Sequence, residues 1–179
     1  MSLAETVINS FLDRKLAQTP NTAHTPQNVQ EHSLAKGLLA GLIAGVVATA
    51  AKTLVEKVYP PRVEGEPEPP AVLAEKVAGH ALAPVQKQIA AESIHWGFGA
   101  TIGAAYGALA EYYPSATSRD GVNFGMTLMA LTHETALPAM GLSAAPANQT
   151  RREKSSEIAS HIVFGLVAET TRRFLRKRL

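Results

Sequence analysis

Apolar and small residues dominate four stretches of the chain, and polar segments separate these stretches. The pattern predicts helices at 37–59, 93–113, 121–142 and 155–174. Each is about twenty residues long, which is the length that an α-helix needs to cross the roughly 30 Å hydrocarbon core of a bilayer. We therefore predict an all-α, polytopic membrane protein with four transmembrane helices. A soluble four-helix bundle is the alternative, because alanine and glycine replace much of the leucine that membrane helices usually carry.

The polar segments are predicted to lie outside the membrane. Apolar spacing within 1–17 predicts a short amphipathic helix on the cytoplasmic side, and the polar stretch 18–32, with its two prolines, is interpreted as a linker, so that residues 1–36 precede the membrane domain at 37–179. Residues 60–92 are rich in proline and glutamate and predict an extramembrane loop, with one amphipathic stretch at 71–82.

The composition agrees with this division into membrane helices and polar segments. Only 18% of the 179 residues are charged, whereas a typical soluble domain carries about 25%. The mean hydropathy of +0.01 averages membrane helices with polar segments. The chain has no cysteine, which excludes disulfides, thiolate metal sites and a cysteine nucleophile.

The distribution of lysine and arginine predicts that both termini are cytoplasmic. In that orientation the cytoplasmic side carries Arg14, Lys15, Lys36, Arg119, Arg172, Arg173, Arg176, Lys177 and Arg178. The outer side carries Arg62, Lys76, Lys87, Arg151, Arg152 and Lys154, of which the last three count against this orientation. The basic C-terminus also suits anionic lipid headgroups, so membrane lipids are the predicted partners.

Glycine recurs at every fourth position in the predicted helices. The residues in question are Gly37, Gly41 and Gly45 in the first, Gly99, Gly103 and Gly107 in the second, and Gly165 in the fourth. Glycine in a helix costs about 1 kcal/mol relative to alanine, and close backbone approach between membrane helices offsets that cost. The spacing predicts helix packing through small-xxx-small ridges, within the chain, in a homo-oligomer or in a membrane complex.

Ionisable residues inside the predicted helices form two groups at different depths. The first, on the outer side, comprises His95, His133, Glu134, Glu157 and His161. The second, near the inner face, comprises Glu111, Glu169, Arg172 and Arg173. An ionisable group at mid-membrane costs about 2.5–3.5 kcal/mol on insertion scales, so these side chains are expected to pair with one another or to face a wet cavity.

Four uses of the outer group remain open at this stage. Glu157 and His161, one turn apart, can offer a carboxylate and an imidazole to a divalent metal, with His133 and His95 completing the coordination. Two histidines can ligate haem. The groups can instead relay protons, since histidine titrates near neutral pH, or form interhelical hydrogen bonds without any ligand. For the inner group, a helix-end ion pair with a topology signal is the simplest interpretation.

No enzyme motif is present in the sequence. The glycine-rich GATIGAAYG at 99–107 lacks the lysine of a phosphate-binding loop and does not follow a predicted strand. The basic tail lacks interleaved aromatic residues and any nucleic-acid-binding module. We predict no enzymatic activity and no nucleic-acid partner. Two functions are consistent with the sequence: a structural or accessory membrane component, and a proton- or metal-linked component of transport or pH response.

Several short segments, taken in order, resemble a known family. They are GLIAGVV at 41–47, PPR at 60–62, the series His95, Gly103-Ala104-Ala105-Tyr106, Ala110-Glu111 and Pro114, the series His133, Pro138 and Met140-Gly141-Leu142, and the series Ser156-Glu157-Ile158, His161, Glu169, Arg172-Arg173 and Leu175-Arg176. Together they resemble the YagU-like bacterial inner-membrane proteins, a domain of unknown function, over about residues 37–178. The resemblance implies an integral inner-membrane protein. One member of that family has been linked to acid tolerance, and the family supplies no catalytic residues.

Overall fold

The computed structural model describes residues 32–63 and 65–179. The predicted N-terminal helix at 1–17 and most of the linker that follows it lie outside the described residues. The described part contains helices and turns and no strand, so the predicted all-α class is confirmed for it. Its helices are α1 (Leu34–Val58), α2 (Pro69–Ala78), α3 (Pro84–Tyr112), α4 (Val122–Leu131), α5 (Leu137–Ala139) and α6 (Arg151–Arg176).

The four long segments run alternately up and down. Gly37 of α1 lies against Gly107 of α3, and Gly45 lies against Gly99, so these two helices are antiparallel. Lys36 near the start of α1 contacts Leu179 just beyond the end of α6, and Lys52 farther along α1 contacts Glu157 near the start of α6, so these helices are antiparallel as well. α4 packs on α6, and α2 packs on α3.

Glycine brings the backbones of neighbouring helices into direct contact. A Cβ atom built on Gly41 would lie less than 3.0 Å from backbone atoms of Gly103 and Gly107, and one built on Gly103 would meet Gly41 and Gly45 equally closely. Gly165 of α6 packs in the same way, against the backbone of Gly121 and Gly125. Each of the seven glycines singled out in the sequence therefore lies against another helix of the same chain, with Gly99 meeting the side chain of Thr49.

Two helices begin earlier than the apolar pattern predicts. α3 begins at Pro84, so that residues 84–92 belong to the helix and not to the loop, and proline suits a first helical turn because its missing N–H is unused there. α6 begins at Arg151 because Thr150 caps it, accepting a hydrogen bond from the N–H of Glu153 at 3.0 Å. Threonine with glutamate three residues later is the sequence signature of a helix start, so residue 155 lies within the helix and does not begin it.

The first and third predicted segments also differ from the structure. α1 begins at Leu34 with Ser33 as its cap, so the polar N-terminal segment ends before residue 36. The predicted helix at 121–142 is interrupted by a π-helical turn, Thr132–Ala136, in which the N–H of Leu137 bonds to the carbonyl of Thr132. Pro138 has no N–H to offer the carbonyl of Glu134, and a wider turn accommodates that loss.

In α1 the small residues are buried and the large apolar residues are exposed, which is the reverse of the arrangement in soluble bundles. Its buried residues are Gly37, Ala40, Gly41, Ala44, Gly45, Ala48 and Thr49. Its exposed residues include Leu38, Leu39, Leu42, Ile43, Val46 and Val47. Across the described chain, the buried set also holds Ser156, Glu157, Ser160, His161, Glu169, Arg172 and Arg176. The buried face of α1 is therefore small, several polar side chains are buried beside an apolar core that contains Leu128 and Phe164, and a continuous face of α1 is large and apolar.

Among the described residues, one helix is long and apolar enough to cross a membrane on length and composition alone, and that helix is α1. The other long helices carry more polar and charged residues. Several polar residues of α6 face inward, among them Ser156, Glu157 and Ser160, which are buried.

Candidate functional site

A cavity of about 660 Å³ opens between the helices at the end where α1 finishes and α6 begins. Residues of α1, α2, α3, the π-helical turn and α6 line it, together with the segment that connects α1 to α2. Its ionisable residues are Lys52, Glu56, Lys57, Arg62, Glu66, Glu68, Glu92, His95, His133, Glu157 and His161. The cavity therefore gathers many ionisable side chains on a lining that is otherwise mostly apolar.

His133, Glu157 and His161 meet on the wall of this cavity, and we call them the His–Glu–His cluster. Glu157 and His161 share one face of α6 because they are one turn apart, and the π-helical turn directs His133 toward them. His133 Nδ1 lies 3.3 Å from Glu157 Oε1. His161 Nδ1 lies 3.6 Å from Glu157 Oε2, and it donates a hydrogen bond to the backbone carbonyl of Glu157 at 2.8 Å, since a carbonyl can only accept.

The Glu157 carboxylate is buried beside two cations. The residue is 2% exposed, with Lys52 Nζ at 3.6 Å from Oε2 and Arg62 Nη1 at 3.8 Å from Oε1. Within the part of the chain that the structure describes, Oε2 receives no hydrogen bond. The ammonium group of Lys52 pairs with Glu56 and the guanidinium group of Arg62 with Glu153, so each cation has a second carboxylate of its own.

The other two members of the predicted outer group do not join the cluster. His95 lines the cavity from α3, where its Nε2 lies 3.3 Å from Thr53 Oγ1, and it does not belong to the three-residue cluster. Glu134 is half-buried and is not one of the described residues that line the cavity. The sequence pattern did not single out Lys52, and it assigned Arg62 to the outer side only as part of the charge distribution.

The predicted inner group divides into two neighbouring sets at the opposite end of the bundle. Arg172 donates two hydrogen bonds to Glu169, at 2.8 and 2.9 Å, and Tyr106 donates one from its hydroxyl at 2.7 Å. Arg173 bridges Glu169 and Asp120. Glu111 pairs instead with Arg176, whose position four residues after Arg172 was the signal that could have identified it.

Helix α2 covers part of the cavity, with Pro69, Pro70 and Leu73 on the lining. The carboxylate of Glu75 links α2 to the residues at the start of α3. It accepts hydrogen bonds from Lys87 Nζ at 2.9 Å and from the backbone N–H of Leu82 at 3.2 Å. We call this contact the α2 latch. The hydrogen bond from Lys87 holds the pKa of Glu75 below its ordinary value of 4.5.

The α2 latch is expected to open only in acid. Because the pKa of Glu75 is lowered in the closed state, the contact contributes stability above the ordinary pKa and loses it as pH falls through the lowered one. A spin label at Val77, an exposed position of α2, should keep constant mobility at neutral and mildly acidic pH and gain mobility below about pH 4.5. Lys87→Ala should move that transition to higher pH. Identical pH profiles in the two proteins would show that Lys87 does not control the latch.

A family described as a protein of unknown function, DUF1440, matches residues 46–170 of the chain. The matched range contains the His–Glu–His cluster, and the predicted membership of a family of unknown function is confirmed at this level and not at the narrower YagU-like one. No curated protein and no solved structure matches the chain. The match covers more than half of the sequence, and the chain therefore belongs to the DUF1440 family.

Proposed function

We propose that this protein is a four-helix integral membrane protein that takes up a small cation, a proton or a metal ion, in a water-accessible cavity reached from one face of the membrane. The proposed location is the bacterial inner membrane, with both termini in the cytoplasm. The His–Glu–His cluster is the part of the cavity that the cation reaches. The role is that of a proton- or metal-linked component of transport or pH response.

The distribution of side chains between surface and interior carries this proposal. In water, exposing the apolar face of α1 would forfeit about 25 cal/mol for each Å² left unburied, whereas in lipid that exposure has no such cost. Small residues inside a bundle, with polar groups hydrogen-bonded between helices, are typical of membrane proteins. The same argument covers α6, whose Ile158 and Leu166 are exposed while Glu157 and Glu169 are buried.

Helix length supports four crossings. α1, α3 and α6 contain 25, 29 and 26 residues, which at 1.5 Å per residue gives each more than the roughly 30 Å of hydrocarbon. The stretch 122–139 spans roughly 27 Å if helical throughout. Its π-helical turn is compatible with a membrane because irregular backbone is tolerated there where it is covered by protein or lines a wet cavity.

The arrangement of the glycines favours this function over an accessory role based on assembly through glycine ridges. All seven of those glycines already contact other helices of the same chain. Their close-packing surface is therefore used within the subunit, where it holds α1 against α3 and α4 against α6. The cavity, in contrast, has charged residues on its lining, and packing of the helices alone does not require them.

Single-cysteine labelling tests the proposal directly, because the natural chain contains no cysteine. Thr53→Cys places a thiol on the cavity wall, and Val47→Cys places a matched thiol on the apolar face of the same helix, where Val47 is 42% exposed. In intact membranes a charged thiol reagent should modify Thr53→Cys at least about tenfold faster than Val47→Cys, because the reactive thiolate requires water.

Two results of this labelling experiment would contradict the proposal. Equally fast modification of Val47→Cys would place the apolar face of α1 in water. Equally slow modification of both positions would mean that the cavity is closed to solvent.

A further inference from the structure

We propose that the His–Glu–His cluster is a binding site for one divalent transition-metal cation of the zinc type. The inference rests on the proposed function and makes it specific: it names a metal ion, and not a proton, as the cation taken up. Two imidazole nitrogens and one carboxylate are the donor set of open zinc sites, which leave a fourth position to water or another ligand.

The spacing of the donor atoms supports a shared cation. One ligand atom from each of His133, Glu157 and His161 can be chosen so that all three lie within 4.8 Å of one another. Zinc bonds of about 2.0–2.2 Å place tetrahedral donors roughly 3.3–3.5 Å apart. The distance of 3.3 Å between His133 Nδ1 and Glu157 Oε1 already has this value, so small rotations of the side chains would complete the site.

The hydrogen bonding of His161 prepares that ring for a metal. Its Nδ1 donates to the Glu157 carbonyl at 2.8 Å, which fixes the proton on Nδ1 and leaves the lone pair on Nε2. Metal-binding histidines almost always donate their second ring N–H to a carbonyl or carboxylate in this manner.

Glu157 supplies the negative charge that the site requires. Its Oε2 atom is buried and, among the described residues, receives no hydrogen bond, although buried carboxylate oxygens nearly always have a partner. Lys52 and Arg62 lie close to it, yet Glu56 and Glu153 balance their charges. The carboxylate of Glu157 is thus the unbalanced charge in this group, and a divalent cation would balance it.

The cavity provides the route to the site. His133, Glu157 and His161 all line it, and its volume of about 660 Å³ holds a hydrated ion together with several waters. His95 lies on the same wall, bonded to Thr53, and is not needed as a ligand. The site is therefore a three-ligand centre open to the cavity, and not a closed structural site.

Zinc binding by the purified, tag-free full chain tests this inference. Protein in detergent is freed of metal by a chelator and titrated with Zn²⁺ alone in equilibrium dialysis, and Co²⁺ is used as a spectroscopic probe of coordination. The wild type should bind about one ion per chain. Glu157→Gln and His161→Ala should each weaken binding at least about tenfold, because even residues one shell away from a metal alter affinity by about 10–100-fold.

His80→Ala is the matched control, since His80 is exposed and lies outside the cluster. Its zinc affinity should equal that of the wild type. If the helical circular dichroism signal shows that Glu157→Gln does not fold, His133→Gln, on the π-helical turn, replaces it with the same expected loss. Wild-type protein that binds no zinc, or variants of the cluster that bind it as well as wild type, would overturn the inference.

The outcomes separate this inference from the proposed function. Absence of zinc binding together with fast labelling of Thr53→Cys would remove the metal site and leave the membrane cavity standing. Zinc binding together with fast labelling of Val47→Cys would support the metal site and contradict the membrane location of α1.

Discussion

Gly103→Ala is expected to lower the free energy of unfolding by about 1–3 kcal/mol or more, which is the usual cost of overpacking a tight interior. A methyl group at this position would lie less than 3.0 Å from backbone atoms of Gly41 and Gly45. Backbone atoms cannot rotate aside as a flexible side chain can, so α1 and α3 would have to separate along much of their contact. The loss would exceed the gain of about 1 kcal/mol in helix propensity.

Gly97→Ala, in the same helix, is the control for Gly103→Ala. No described atom lies within 4 Å of a Cβ built on Gly97, so only the helix propensity changes. The variant should be more stable than wild type by up to about 1 kcal/mol. Unfolding in mixed micelles by added sodium dodecyl sulfate, followed by circular dichroism, measures both. Equal effects of the two substitutions would show that α1 and α3 do not meet through their glycines.

The glycine contacts show what the spacing of residues in the sequence predicts and what it does not. Residues four apart share a face of a helix, so the steps from Gly37 to Gly45 and from Gly99 to Gly107 mark one surface on each helix. The spacing does not determine which surfaces meet. In the structure Gly165 packs against Gly121, whose φ of 86° belongs to a turn before α4. The spacing of four from Gly121 to Gly125 is visible in the sequence, but not that this pair meets Gly165.

The candidate site is predictable to a similar extent. Glu157 and His161 share a face of α6 by spacing, and His133 was expected to lie near them. His133 faces the cavity and Glu134 does not, because the π-helical turn is wider than an α-helical one. Pro138, which causes the wider turn, is visible in the sequence. The direction in which the turn points the His133 side chain is not. Lys52 and Arg62 were missed because a long side chain near a helix end can turn either inward or toward the interface.

Glu169→Ala is expected to destabilise the opposite end of the bundle by about 3–5 kcal/mol, the cost of leaving one member of a buried ion pair without the other. Glu169 is 1% exposed and Arg172 is 8% exposed. The carboxylate accepts two hydrogen bonds from Arg172 and one from Tyr106. Its removal therefore leaves a guanidinium group enclosed by α3 and α6 without its main acceptor. The same micellar unfolding measurement gives the loss.

Two further variants show whether that loss comes from the stranded charge. Tyr106→Phe removes one hydrogen bond to a charged acceptor and keeps the ion pair, so it should cost about 1.5–3 kcal/mol. The double variant Glu169→Leu with Arg172→Met removes both charges, and since apolar replacements of a whole buried pair are often neutral, it should recover most of the stability lost in Glu169→Ala. A double variant no more stable than Glu169→Ala would contradict this account, because the unpaired guanidinium group of Arg172 would then not be the source of the loss.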